Sequence, residues 1–144
     1  MAQPWQSGST PYFVSGQKAT KLQIKSGSVF LFGWHIQNLD AAVTYLQFFD
    51  APASSVTVGT TTPTFVIAVP ASGLHDADDS VPIGLKSGLT IAATTTATGA
   101  VAPTNGLNAI ILAFIHPIVT LRQNKTRMTK HHHSSSSREI LAET

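Results

Sequence analysis

Histidine and aspartate residues cluster at one place in the chain, the HDADD segment from His75 to Asp79. Carboxylate oxygens at alternate positions of a loop are suitable ligands for a hard cation such as Ca²⁺. The segment lacks, however, the glycine at the sixth position and the glutamate at the twelfth position of an EF-hand loop. We therefore predict a solvated acidic turn between two strands, and no metal site.

The histidines suggest a second kind of chemistry, general-base catalysis. His35, His75 and His116 could in principle pair with Asp40 or Asp50 as in a serine hydrolase. No Gly-x-Ser-x-Gly elbow is present to supply the nucleophile. A histidine inside an apolar alternating segment, as at position 35, is more often structural than catalytic. We predict no catalytic residues and no enzymatic activity.

The segment from Gly84 to Gly88, GLKSG, is superficially similar to a phosphate-binding loop. A P-loop requires the order Gly-x-x-x-x-Gly-Lys-Ser/Thr followed by a helix. The chain has neither that order nor a helical pattern after Gly88. A turn that exposes Lys86 explains the segment, and we expect no cofactor.

Basic residues are concentrated near the C-terminus, where they account for the overall net charge of +2. They are Arg122, Lys125, Arg127, Lys130 and Arg138. Such a segment can neutralise phosphates, but no aromatic residue accompanies it as a stacking surface for bases. We expect an inert tail and no nucleic-acid partner. Two interpretations fit residues 131–137, HHHSSSS: a native low-complexity segment or a cloning remnant.

The composition favours a protein that packs against other protein. Only 11% of residues are charged, against about a quarter in ordinary soluble domains. The absence of cysteine fits synthesis in a reducing cytosol. The first residues lack the pattern of a signal peptide, and no apolar run approaches the ~18 residues of a membrane span. We expect no membrane partner.

Residues 1–26 combine proline and glycine with scattered serine, threonine and glutamine, a composition that interrupts regular structure. We predict an extended N-terminal arm here. Its aromatic residues Trp5, Tyr12 and Phe13 are the candidates for binding a partner, because large apolar side chains rarely stay in water without a function. The alternative is that the arm folds back on its own domain.

A clear two-residue alternation begins at Ser28 and predicts a strand with one apolar face. Turn residues follow at 38–42, and residues 43–49 are typical of an antiparallel return. We therefore expect a hairpin over 28–49. Further β-rich runs occupy 56–58, 64–69, 81–85, 89–93 and 107–115.

Glycine and proline between these runs are typical of an all-β domain of seven or eight strands. We predict a jelly-roll or related antiparallel β-sandwich over residues 27–116, between the arm 1–26 and a basic, low-complexity tail 117–144. The residues expected in its core are Phe30, Phe32, Trp34, Ile36, Leu46, Phe48, Ile110 and Leu112.

Four segments carry a resemblance to a protein family: LFGWHIQNL (31–39), TYLQFFD (44–50), VGTTTP (58–63) and GLTIAATTTATGAVAP (88–103). In these the chain resembles small structural proteins of tailed bacteriophages and prophages. The resemblance implies a virion protein made in the host cytoplasm: a homotrimeric capsid cement (decoration) protein that binds the major capsid protein and stabilises the head. The alternative is a tail- or fibre-associated knob that binds a host receptor or glycan.

Overall fold

The computed structural model describes residues 11–115, without the side chains of 79–81 and 115. They form an antiparallel β-sandwich, which confirms the predicted fold class. A short 3₁₀ turn, Ala53–Ser55, interrupts one connection. The strands are β1 Tyr12–Gln17, β2 Leu22–Ser26, β3 Val29–Asn38, β4 Thr44–Phe49, β5 Phe65–Val69, β6 Leu74–Leu85, β7 Gly88–Thr94 and β8 Leu107–Ile115.

The strands form two sheets of four. The first sheet has the order β1-β8-β3-β6, and the second has the order β2-β7-β4-β5. β1 pairs with β8, β2 with β7, β3 with β6 and β4 with β5, all antiparallel. The first four strands therefore pair with the last four in reverse order, and neighbours in space are mostly distant in sequence.

The predicted hairpin over residues 28–49 is wrong, because β3 and β4 belong to different sheets. The segment between them crosses from one sheet to the other and is fixed by buried polar groups. The Asn38 amide donates to the carbonyls of Ala42, Val69 and Pro70 at 2.8, 3.2 and 3.1 Å. Residues 38–42 do reverse the chain, but they connect the two sheets instead of two paired strands.

The predicted arm is wrong for the part of residues 1–26 that the structure describes. β1 and β2 are strands of the sandwich, and their Val14 and Ile24 are buried in its core. Within the described residues the first strand of the sandwich therefore begins at Tyr12, and the alternative of a segment folded back on its own domain holds there. The expected tail, 117–144, lies outside the described residues.

A β-bulge in β3 changes which side chains point inward. Leu31 and Gly33 are two residues apart, yet their partners on β8 are the adjacent Ala113 and Leu112. One extra residue in β3 reverses the alternation, so Val29 and Leu31 point inward before the bulge and Trp34 and Ile36 after it. Trp34 and Ile36 are confirmed as core residues. So are Leu46 and Phe48 of β4.

The other core predictions are wrong. Before the bulge the alternation places Phe30 on the outer side of β3, and the Phe32 ring packs against Phe30 and Phe114; both side chains are half-buried. In β8 the inward set is Leu107, Ala109, Ile111 and Ala113. Ile110, 37% exposed, and the half-buried Leu112 therefore lie on the outer side. β8 is apolar on both sides, so alternation alone could not identify its inner face.

Candidate interaction surface

The HDADD segment is part of strand β6 and is not the acidic turn predicted from the sequence. The Nδ1 atom of His35 lies 3.1 Å from Oδ1 of Asp76, with both side chains about half exposed. His75 faces the other way, and its Nδ1 accepts a 3.0 Å hydrogen bond from the Trp34 indole. Within residues 11–115 no cluster of three potential metal ligands forms.

The carboxylates considered for catalysis serve the backbone. Asp40 is buried and accepts hydrogen bonds from the amides of Asn105 and Gly106 at 2.8 and 2.9 Å. This bond pattern joins the β3–β4 crossover to the start of β8. In the described part of the chain Asp40 has no histidine partner, and His116 lies beyond it.

Asp50 has an equivalent role at the turn that was compared with a phosphate loop. Its carboxylate accepts the amides of Lys86 and Ser87 at 3.0 and 2.8 Å. The backbone donors that would hold a phosphate are thus bonded to the protein's own carboxylate. Lys86 itself is exposed, as predicted.

The first sheet has an apolar outer surface, which we call the apolar face. Its largest exposures are Phe13 at 66% and Leu74 at 67%, whereas its other side chains are less exposed. None of its residues belongs to either buried hydrophobic cluster of residues 11–115. The residues that define it are Phe13, Phe30, Phe32, Leu74, Ile110, Leu112 and Phe114.

One end of the apolar face is aromatic. The rings of Phe32 and Phe114 lie 5.0 Å apart between centroids, and Phe30 meets Phe32 edge-on at 6.3 Å. Phe30 also lies over Gly84 of β6, where a Cβ atom would approach the ring to 3.4 Å. The Phe30 ring therefore packs directly over the backbone of β6 at Gly84.

The other end of the apolar face contains an open cavity of about 200 Å³ with polar groups at its border. The side-chain Nδ2 of Asn108 donates a hydrogen bond to Oε1 of Gln37 at 3.4 Å. Its Oδ1 accepts one from the backbone N–H of Gly16 at 3.0 Å. The lining residues are Phe13, His35, Ile36, Gln37, Leu74, Asp76, Asn108, Ala109 and Ile110. Aromatic and amide groups therefore meet at this end.

The outer side of the second sheet, which we call the covered face, is packed beneath two long connections. Phe49 and Ala92 form a small cluster with Val56 from the connection 50–64. The residues that define the covered face are Gln47, Phe49, Thr90, Ala92 and Thr94, all buried. Val56 was predicted to lie in a strand, but it belongs to this cover.

Polar groups under the cover are mostly satisfied locally. Gln47 donates to Thr94 Oγ1 at 2.8 Å and to the Gly99 carbonyl at 3.0 Å. Thr94 in turn donates to the Thr96 carbonyl at 2.7 Å. The Gln47 side-chain oxygen is buried without a hydrogen-bond partner. Beneath this cover every residue of β7 is buried.

The partner-binding candidates from the sequence fall in different places. Phe13 lies exposed on the apolar face, Tyr12 packs against the core, and Trp5 lies outside the described residues. Ile110 and Leu112 were missed as surface residues. One sequence signal was available: β8 is apolar on both sides from Ala109 to Ile115. That pattern is typical of a strand covered on both faces, so one set of these side chains had to lie on the outer side of the sheet.

No helix among residues 11–115 is long and apolar enough to cross a membrane. Comparison with known proteins found no matching family model, curated sequence or solved structure.

Proposed function

We propose that the protein is a structural component of a phage virion, a capsid cement protein that binds the major capsid protein through the apolar face. The observation that carries this proposal is the exposure of Phe13, Leu74 and Ile110 on one open sheet surface. Contiguous apolar surface that a protein leaves in water marks a site of protein association. Burying it releases free energy at about 25 cal/mol per Å².

The low charge of the chain supports the same proposal. Interface centres are depleted of charged residues and enriched in aromatic ones. On the apolar face the ionisable groups of β3 and β6 include His35, Asp76 and Asp78, and His35 lies 3.1 Å from Asp76. The aromatic side chains Phe30, Phe32 and Phe114 themselves carry no charge for a partner to desolvate.

The strand pairing also supports a viral structural role. Four strands that pair in reverse order with the next four describe a long hairpin rolled into two sheets, the arrangement expected of a jelly roll. Viral capsid and lectin domains use that architecture. Because one fold serves many functions, this point supports the apolar-face argument and does not replace it.

The non-enzymatic part of the proposal rests on how the polar residues are used. Asp40 and Asp50 hold backbone amides, and His75 accepts the Trp34 indole. Of the residues considered for a catalytic triad, Asp40, Asp50 and His75 therefore have structural hydrogen-bond partners. Turnover of an ester or glycoside by the purified chain would contradict this part.

A second candidate function is a tail-associated knob that binds a glycan, and the cavity at Phe13 favours it. Sugar recognition uses an aromatic surface for the ring and planar polar groups for its hydroxyls, and Phe13, Gln37 and Asn108 supply both. On a glycan array this candidate predicts selective binding that Gln37→Ala abolishes. The cement proposal predicts no selective binding.

Copy number tests the main proposal. Particles are induced from the strain that encodes the chain, purified, and measured by quantitative mass spectrometry against the major capsid protein. A cement protein is expected at hundreds of copies per particle. A dozen copies or fewer would move the protein to the tail and favour the knob, and absence from particles would overturn the virion proposal.

A further inference from the structure

Strand β5 forms one edge of the second sheet, and among residues 11–115 no strand lies on its outer side. We propose that this edge pairs antiparallel with β5 of a second copy of the chain, about a two-fold axis at Ile67. The two second sheets then form one continuous eight-stranded sheet. The proposal goes beyond the virion function and does not depend on it.

Two of the other edge strands carry features that discourage pairing. β1 has a register shift between Val14 and Gln17 and a glycine at φ +62° within it, Gly16. β2 has a register shift between Gln23 and Lys25, and Lys25 places a charge on the strand. Bulges and lysines are the usual means by which proteins keep sheet edges from pairing.

The fourth edge, β6, is protected in the same manner. Its pairing with β3 shifts between Leu31 and Gly33, and it carries the charges of Asp76 and Asp78. A second copy of β6 alongside would bring these carboxylates together, and like charges on paired strands are destabilising.

β5 has none of these features. Its sequence FVIAV contains no charge and no proline. It pairs with β4 in unbroken register from Phe65–Phe48 to Val69–Thr44. An apolar, uncharged edge in regular register is a template for strand addition.

The edge is also complementary to itself. A two-fold axis at Ile67 places Phe65 opposite Val69 of the second copy and Val66 opposite Ala68 of the second copy. Every cross-strand pair is then apolar, and no like charges meet. Pairs between β-branched and aromatic residues stabilise antiparallel strands by about 0.2–1 kcal/mol each. An interface of this kind is closed, since both copies use the same surface.

Two side chains of β5 face the core but are incompletely buried. The Phe65 ring stacks on Phe48 at 4.4 Å between centroids, at an angle of 12°. Phe65 and Ile67 remain half-buried, and no strand among the described residues lies beyond the edge to cover them. A neighbouring strand would cover both, which gives the pairing an apolar contribution besides its main-chain hydrogen bonds.

Sedimentation of the full chain tests the pairing. We expect the wild type to sediment at twice the 15.2 kDa chain mass at micromolar concentration. In Val66→Lys/Ala68→Lys each lysine would stand opposite a lysine of the other copy, so the dimer dissociation constant should rise about tenfold or more. Ala68→Lys alone changes an exposed position and should give a smaller rise. Ser15→Lys on the β1 edge is the matched control and should leave the dimer intact.

Disulfide formation tests the register, because the native chain has no cysteine. Ile67→Cys should oxidise to a covalent dimer, since the axis places residue 67 opposite itself, at a Cα separation of about 5 Å. Ala68→Cys lies diagonally from its copy and should cross-link much more slowly. Equal cross-linking at both positions would contradict the proposed register.

The remaining outcomes overturn the pairing. A wild-type chain that stays at monomer mass would contradict the pairing. Either another segment, such as residues 1–10 or 116–144, would then adjoin β5, or no strand would. A mass of three chains, as the phage resemblance implies, that survives Val66→Lys/Ala68→Lys places the interface elsewhere. Unfolding temperatures of all variants are measured alongside, and Ile67→Cys reports on pairing even where a lysine variant is unstable.

Discussion

The two outer surfaces of the sandwich differ in what lies over them. On the covered face Phe49 and Ala92 are fully buried beneath Val56 and its connection. On the apolar face Phe13 and Leu74 are about two-thirds exposed. Both surfaces present apolar side chains, and only one of them has its cover supplied by the described chain.

The connections explain this difference. The longest ones, 50–64 and 95–106, both leave strands of the second sheet, β4 and β7. They return over its outer side, where hydrogen bonds hold them. One of these runs from Thr90 Oγ1 to the Ala51 carbonyl at 2.7 Å. Connections that begin at the first sheet, such as 18–21 and 86–87, are too short to reach across it. Within residues 11–115, therefore, no connection is long enough to cover the apolar face.

The largest expected effect separates the two faces by stability. Phe49→Ala should lower the free energy of unfolding by about 3–5 kcal/mol, because it empties a fully buried site. Phe13→Ala is the matched control on the apolar face and should change it by about 0.5 kcal/mol or less. Urea denaturation measures both. Similar losses at the two positions would show that the apolar face is also buried.

A smaller effect is expected from the polar groups under the cover. Thr94→Val removes the acceptor of the Gln47 amide and the donor to the Thr96 carbonyl. Leaving buried polar groups unpaired should cost about 1–3 kcal/mol. Thermal unfolding measures the loss, with Thr98→Val, at an exposed position of the same connection, as control. An unchanged Thr94→Val would mean that water already reaches these groups.

The smallest effect on stability is expected at the apolar face itself. Leu74→Ser should leave the free energy of unfolding within about 0.5 kcal/mol of wild type. It should nevertheless reduce the fluorescence of a dye such as ANS that binds exposed apolar surface. Val101→Ser, an equally exposed position away from the face, should reduce it less. Equal reductions would argue against a contiguous dye-binding surface.

The sequence predicts the fold class well because alternation and turn residues are local properties. Strand pairing is not local: the same pattern fits a β3–β4 hairpin and the observed crossover, which depends on Asn38 reaching Val69. The bulge at Phe32 is also invisible to alternation, so the pattern assigned Phe30 and Phe32 to the core together with Trp34 and Ile36.

The interaction surface was predictable only in part. Phe13 was identified as a partner-binding residue, and the structure leaves it exposed, although in a strand and not in an arm. Ile110 and Leu112 were assigned to the core because β8 is apolar on both sides from Ala109 to Ile115, so an apolar residue there favours neither side. Whether a loop covers that strand depends on where connections of different lengths return, which only the three-dimensional structure shows.

The most direct test of the central claim is binding of the purified chain to capsids that lack it, measured by cosedimentation. The double variant Phe13→Ser/Leu74→Ser is compared with Val101→Ser and with wild type. We expect the double variant to bind at least about tenfold more weakly, a loss of about 1.4 kcal/mol, and Val101→Ser to bind as wild type does. Equal binding by all three would contradict the assignment of the apolar face as the docking surface.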